Sequence, residues 1–269
     1  MKKEKKQYYF TLKGAVKRIK DEYRYFTERP WSLEDIGNFW NTVKDYDVVN
    51  SEIYPYYRRF TNSYNLAEKY LKKNNYKVVD VQARSGNGTE FWSNKINIEL
   101  AVCVDFSDYL ISLARNRIDS LKIPYKLLKI NDFPIPLDDS SFDLVLCYET
   151  VEHIYNYNYF IKELSRLVTD DGIIILTCPA VSWELVHWLS AVININHSEG
   201  PHRFLKRKEL IYAFNDNNLE ILEENSTVIL PFNNKLSIFV NNILEKLLPR
   251  FIKSIIALRR TFIIKTISS

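Results

Sequence analysis

The chain has little glycine. Six glycines and nine prolines in 269 residues exclude a collagen-like repeat and a flexible linker chain. Cysteine is also scarce. Cys103, Cys147 and Cys178 stand far apart, with no C-x-x-C pair and no Cys/His cluster. Neither a disulfide framework nor a metal site is expected, and each thiol sits in an apolar run that reads as a buried strand. No uninterrupted apolar run reaches the roughly 18 residues that a membrane span requires. The basic start, MKKEKKQYYF, leads into no long apolar stretch and so lacks the form of a secretory signal. These absences lead us to expect a soluble, cytoplasmic protein.

What is present is ordinary in amount and uneven in placement. Apolar residues make up 46% and charged residues 26%, enough to build a core and too apolar for a disordered chain. The length suits one α/β domain with appendages. The net charge of +4 hides two basic ends. Residues 1–30 carry ten Lys/Arg and four Asp/Glu, and residues 230–269 carry seven Lys/Arg and one Glu, so each end is +6. The middle holds 20 basic and 28 acidic residues, a net of −8. An acidic middle between basic ends is not a nucleic-acid-binding stripe, and no nucleic-acid partner is expected.

The hydrophobic pattern changes along the chain. Residues 59–74 place Leu66, Ala67, Tyr70 and Leu71 on a helical stripe. From Lys77 onward, short β-branched runs alternate with amphipathic segments. Strands are expected at 77–81, 98–104, 125–130, 142–148 and 173–178, with helices at 107–120 and 157–168 and a turn at Asp171-Gly172. Later, a helix over 208–217, a strand over 219–229, an amphipathic segment over 234–248 and a last strand over 261–267 complete the pattern. Continuous apolar strands between helices imply a parallel sheet covered on both faces.

In such a sheet, ligands lie beyond the carboxyl ends of the strands. The first strand ends at Asp80-Val81 and runs into Gln82-Ala83-Arg84-Ser85-Gly86-Asn87-Gly88, where Gly86 and Gly88 let backbone approach a ligand. The second strand ends in Asp105, an acid suited to the two hydroxyls of a ribose. Asn131-Asp132-Phe133 follows the third strand, a polar pair and an aromatic that could hold the edge and face of a base.

From Lys77 to about Leu230 the chain resembles the class I S-adenosylmethionine-dependent methyltransferases of the small-molecule type. The resemblance rests on Asn131 through Val145 (similar to the family's D-x-x-x-(L/F)-P-x-x-x-x-S-F-D-x-V passage), on Glu149-Thr150-Val151-Glu152-His153, and on Glu163…Arg166…Leu167 followed by Asp171-Gly172. It implies a doubly wound, seven-stranded, mostly parallel Rossmann-like sheet whose last strand is antiparallel, and S-adenosylmethionine as cofactor. On this basis residues 1–58 form a helical N-terminal extension or cap. Residues 59–269 form the methyltransferase-like domain, with a lid at 179–205 containing Trp183, Trp188 and His197 and an amphipathic insertion at 234–258.

The family's glycine-rich loop is altered here. Its first two glycines are Gln82 and Arg84. Two readings stay open: Arg84 pairs with the cofactor carboxylate, or Gln82 and Arg84 fill the pocket and the chain is a catalytically inactive binding or scaffold protein. The resemblance implies Asp80, Gln82, Arg84, Gly86, Gly88, Asp105, Phe106, Asn131, Asp132, Phe133 and Tyr148 as cofactor-binding residues. His153 is the candidate general base, because an ordinary imidazole takes a proton near neutrality, and Glu149 is the candidate for orienting the acceptor. The acceptor is expected to be a small molecule or a glycan- or lipid-linked compound. A nicotinamide-dependent oxidoreductase fits less well, since the loop lacks G-x-G-x-x-G. For the amphipathic stretch 234–258, packing over the sheet, a homodimer face and a peripheral contact with a membrane surface are the alternatives.

Overall fold

A computed structural model describes residues 12–27, 30–44, 53–193 and 198–267. Seven strands form one sheet: β1 (Tyr76–Val81), β2 (Ile98–Asp105), β3 (Tyr125–Lys129), β4 (Phe142–Tyr148), β5 (Val168–Pro179), β6 (Leu219–Thr227) and β7 (Arg259–Thr266). Their spatial order is β3-β2-β1-β4-β5-β7-β6. Strands β1 to β5 pair in parallel, and β7 runs antiparallel between β5 and β6. The strand order reverses between β1 and β4, which places the switch point, and the ligand crevice beyond it, at their carboxyl ends. Val78, Val79, Leu144, Val145, Leu146 and Cys147 are fully buried, as central parallel strands covered on both faces require. The three cysteines are free and buried.

The described helices are α1 (Leu12–Thr27), α2 (Leu33–Thr42), α3 (Tyr54–Ala67), α4 (Asn87–Ser93), α5 (Asp108–Asp119), α6 (Tyr157–Leu167), α7 (Glu184–Val192), α8 (Arg207–Asp216), α9 (Lys235–Leu247) and α10 (Arg250–Ile256). Helix α3 begins earlier than the apolar stripe suggests. Pro55 opens its first turn, where a fixed φ and a missing N–H cost nothing. It ends at Ala67 in a 3₁₀ turn, and it packs on β7 and β6. The expected boundary at 58/59 therefore falls inside a helix. Pro249 divides the amphipathic stretch into α9 and α10.

Strand β5 also begins earlier than expected. Val168 pairs with Phe142, and Ile173 pairs with Leu144, so residues 169–172 bulge out of the ladder. The Asp171-Gly172 turn signal marks this bulge. A Cβ on Gly172 would meet Val168 Cγ2 at 2.7 Å and the Asp143 carbonyl oxygen at 2.9 Å, so only glycine fits.

Helix α6 is stitched to the loop before β4 by Glu163 and Arg166. Glu163 Oε1 accepts from the Ile135 N–H at 2.7 Å. The Arg166 guanidinium donates to the Ile135 carbonyl at 2.9 Å, to the Leu137 carbonyl at 2.7 Å, and to both Glu163 oxygens. This pair is structural, and it explains why a Glu-x-x-Arg spacing marks the helix. Arg166→Ala leaves the buried Glu163 without its counter-charge. Chemical denaturation is expected to show a loss of about 3 kcal/mol, with far-UV circular dichroism unchanged before the transition.

Candidate active site

The loop from β1 into α4 keeps a glycine-like backbone where glycine has been lost. Gln82, Arg84 and Gly86 all take the left-handed conformation, with φ of 56°, 55° and 79°. For the two non-glycine residues this costs on the order of 1 kcal/mol each, so the surroundings must hold the loop. Three tethers do so. The Arg84 N–H donates to Asp105 Oδ2 at 2.8 Å, the Ala83 N–H donates to the Val104 carbonyl at 2.9 Å, and Arg117 Nε of α5 donates to the Ser85 carbonyl at 2.8 Å. The start of α4 is held by Asp80, whose Oδ2 accepts from the Thr89 N–H at 3.1 Å and the Thr89 hydroxyl at 2.9 Å. Gly88 is needed for this clasp, because a Cβ there would lie 2.8 Å from Asp80 Oδ2.

Asp105 is the second anchor. Besides Arg84, its carboxylate accepts from the Phe106 N–H at 2.8 Å and the Ser107 N–H at 2.9 Å. A carboxylate has about four lone-pair sites, so three backbone donors leave room for further donors. Burial pushes both Asp80 and Asp105 up to about 6, against the lowering effect of these hydrogen bonds. Helix α2 roofs this end of β2. A Cβ on Gly37 would lie 2.1 Å from the Phe106 carbonyl oxygen, and Asn41 Oδ1 accepts from the Ser107 hydroxyl at 2.8 Å and the Tyr109 N–H at 3.1 Å.

The Arg84 side chain crosses from the loop to the end of β4. It donates to the Glu149 carbonyl at 2.6 Å, faces His153 Nε2 at 3.4 Å, and lies 4.5 Å from the Trp40 ring centroid. Glu149 is also left-handed, with φ of 52°. Its carboxylate meets Arg259 Nε at 2.9 Å and Nη2 at 3.2 Å, and accepts from the Thr177 hydroxyl at 2.8 Å. Burial alone would raise this carboxyl. The charges of Arg259 and Arg59 outweigh it and hold Glu149 below the usual carboxylate range. Glu152 is the opposite case. Burial and the neighbouring Glu149 drive its carboxyl well up, and its buried Oε2 has no hydrogen-bond partner among the described residues.

The sequence candidates divide once the side chains are placed. Asp80, Gln82, Arg84, Gly86, Gly88, Asp105 and Phe106 gather at the carboxyl ends of β1 and β2, with Glu149 beyond β4. Both amide atoms of Gln82 are buried without a hydrogen-bond partner among the described residues. Asn131 and Asp132 follow Ile130, whose N–H donates to the Asp105 carbonyl at 3.1 Å, so they stand beside the carboxyl end of β2. Asn131 and Asp132 are exposed, Asp132 Oδ1 accepts from the following N–H, and Phe133 packs on Tyr159 and Phe160. Tyr148 is core, its hydroxyl bonded to Ser63 at 2.7 Å and Trp92 at 2.8 Å.

His153 does not have the surroundings of a general base. Its Nδ1 lies 3.0 Å from the Pro201 carbonyl, which only an N–H can satisfy, so Nε2 is the lone-pair nitrogen and faces the Arg84 cation. Burial first, and the Arg84 charge second, lower its pKa to about 3. His197 of the expected lid lies outside the described residues.

A cavity of about 590 Å³ opens beside Arg84, Glu149 and Glu152. Arg59 and Arg259 complete its polar side, and Tyr56, Trp183, Phe204 and Phe232 supply apolar walls. A larger cavity of about 800 Å³ lies along α1 and α2 and holds none of these groups. Sequence reasoning missed Glu152, although it stands inside the segment that carries the resemblance. It also missed Arg59 and Arg259, which reach the site only through the packing of α3 on β7. Among the described residues no cluster of three or more metal-binding side chains exists, and no helix is long and apolar enough to cross a membrane.

The His153 geometry has a direct test. With a folded pKa far below the unfolded 6.5, the imidazole stays neutral in the native state while the unfolded state takes up a proton. Stability is thus expected to fall as pH drops from about 6.5 toward 3, by at most about 1.4 kcal/mol per unit. Nitrogen-15 chemical shifts of the His153 ring are expected to stay constant between pH 8 and 5.

Comparison with known proteins agrees with this geometry. A methyltransferase domain family model matches residues 79–176. The demethylmenaquinone methyltransferase of Bacillus cereus is 25% identical over 154 residues, which cover 53% of this chain and 61% of that protein. The match thus spans about three fifths of that relative's length. Among solved structures, the [4+2]-cyclase SpnF has a TM-score of 0.64 at 11% identity, covering 89% of this chain and 98% of that one. Geranyl diphosphate C-methyltransferase from Streptomyces coelicolor has a TM-score of 0.61 at 13% identity, covering 87% and 97%. The domain match over residues 79–176 and the strand order show that this chain carries a methyltransferase domain with a Rossmann-like methyltransferase fold.

Proposed function

We propose that the chain binds S-adenosylmethionine at the β1–α4 loop and transfers its methyl group to a small amphipathic acceptor, free or linked to a lipid or glycan, seated in the 590 Å³ cavity. One observation carries this reading: Arg84, on the cofactor loop, and Glu149, at the end of β4, both line that cavity, so the two half-sites share a wall. The residues present fit the cofactor. Asp105 offers a buried carboxylate to the ribose hydroxyls. The unpartnered Gln82 amide and the Arg84 guanidinium suit the charged amino-acid end, which needs both an acceptor and donors. When bound, S-adenosylmethionine supplies a methyl group activated by a sulfonium.

The chain's own contribution is alignment and exclusion of water. The aromatic walls seat the apolar part of the acceptor. Glu152 Oε2, buried and without a hydrogen-bond partner among the described residues, is the group positioned to bond an acceptor hydroxyl or amine, and in its ionised form it would take up the proton that methyl transfer releases. Glu149, kept ionised by Arg259, fixes the polar side of the cavity and does not take up a proton.

Isothermal calorimetry with S-adenosylhomocysteine tests the cofactor half. An ionised Asp105 is needed to accept from the ribose, so affinity is expected above about pH 6 and is lost as pH falls through it, by up to about tenfold per unit. Asp105→Asn is expected to remove that dependence together with most of the affinity. Arg84→Gly is expected to weaken binding at least about tenfold while relieving backbone strain. No heat with the parent chain, or tighter binding by Arg84→Gly, contradicts the reading. The second result would mean that the guanidinium fills the pocket.

A further inference from the structure

The amphipathic stretch does not point its apolar stripe inward. On α9, Leu236, Phe239, Ile243 and Leu247 recur at helical spacing, and all four are exposed, Leu236 at 71% and Leu247 at 74%. The buried side of the helix is instead held by polar groups. Asn241 bonds the backbone of Ile229 and Leu230, and Glu245 pairs with Arg58 at 2.6 Å. Beyond Pro249, Phe251 and Ile255 of α10 continue the exposed apolar series.

Two other helices do the same. Helix α7 exposes Leu185, Val186, Leu189 and then Ile193 at its end. Helix α1 exposes Leu12, Val16 and Ile19. These elements are neighbours. Arg18 Nε of α1 donates to the Val192 carbonyl at the end of α7 at 2.8 Å, and Ser182 and Trp183, just before α7, donate to the Ile255 and Ile256 carbonyls of α10.

The fully exposed charges on these helices are of one sign. Lys13, Lys17 and Lys20 of α1, and Lys235, Lys246 and Arg250 of α9 and α10, are exposed. No acidic side chain of α1, α7, α9 or α10 is: Glu22 and Glu245 are turned inward, and Asp21 and Glu184 are partly covered. The cavity opens within the same group of elements, for Val186 and Phe232 both line it and are exposed.

We infer that α1, α7, α9 and α10 form a docking surface for an anionic lipid bilayer, with the cavity mouth facing the lipid. Apolar side chains enter the acyl boundary while lysine and arginine stems keep their cations among the headgroups. A second copy of this chain fits less well. An isologous dimer would place the same net-basic face against itself, and like charges would oppose. The inference is independent of the methyl-transfer reading, because cofactor affinity and vesicle binding are measured separately.

Vesicle flotation of the full chain tests it. Binding is expected to vesicles of about one-third phosphatidylglycerol in phosphatidylcholine, at least about tenfold weaker to phosphatidylcholine alone, and weaker as salt rises. The triple variant Leu236→Ser, Phe239→Ser, Leu247→Ser and the triple variant Lys13→Glu, Lys17→Glu, Lys20→Glu are each expected to lose at least about tenfold in partition. Their melting temperature and S-adenosylhomocysteine affinity should match the parent. Three results overturn the inference: no flotation of the parent, flotation unchanged in both variants, or a parent dimer that the serine variant turns into monomers with no effect of vesicles. The last result would assign the surface to a second copy.

Discussion

The site depends on two buried carboxylates holding a strained loop. Asp105 clasps the Arg84 backbone from β2, and Asp80 clasps Thr89 from β1, so the chain between them is fixed at both ends. That is why side chains at 82 and 84 are tolerated in a backbone conformation that favours glycine. The strain is small beside the cost of leaving either carboxylate unpaired in the interior. It is stored where a ligand would meet the protein, which is the usual place for such strain.

The same constraint sends the Arg84 side chain across the switch point to β4. There it joins a set of buried charges in which each member sets another. Arg84 helps to keep His153 neutral, Arg259 keeps Glu149 ionised, and Glu149 in turn favours a protonated Glu152. Two carboxyls three residues apart are thereby driven in opposite directions. One becomes a fixed charge and the other a group able to exchange a proton, a division of labour that environment alone can create.

Much of this is legible in the sequence. The parallel strands announce themselves as apolar runs, and their carboxyl ends carry Asp80, Asp105 and Glu149 at readable positions. The Glu163–Arg166 spacing marked a real feature, although its role is to stitch α6 to a loop. What the sequence could not show depends on long-range packing. Arg259 reaches Glu149 only because β7 pairs antiparallel with β5, with Pro179 opposite Arg259. Arg59 enters the cavity only because α3 lies on that strand. Hydrophobic periodicity revealed the stripe on α9 but not which way it faces, since a 3.6-residue period is the same for a helix packed on a core and one turned outward. A polar pair and an aromatic in the right order do not fix where their side chains go, and Phe133 finds a better apolar neighbour in Phe160.

The central claim is that the altered loop is still a cofactor cradle. A crystal structure of the chain grown with S-adenosylhomocysteine tests it most directly. The account predicts adenosyl density against Asp105, with Gln82 and Arg84 still left-handed and their side chains turned to the amino-acid end of the ligand. A crevice filled by the Arg84 side chain, with no ligand density beside Asp105 at saturating concentration, would contradict it.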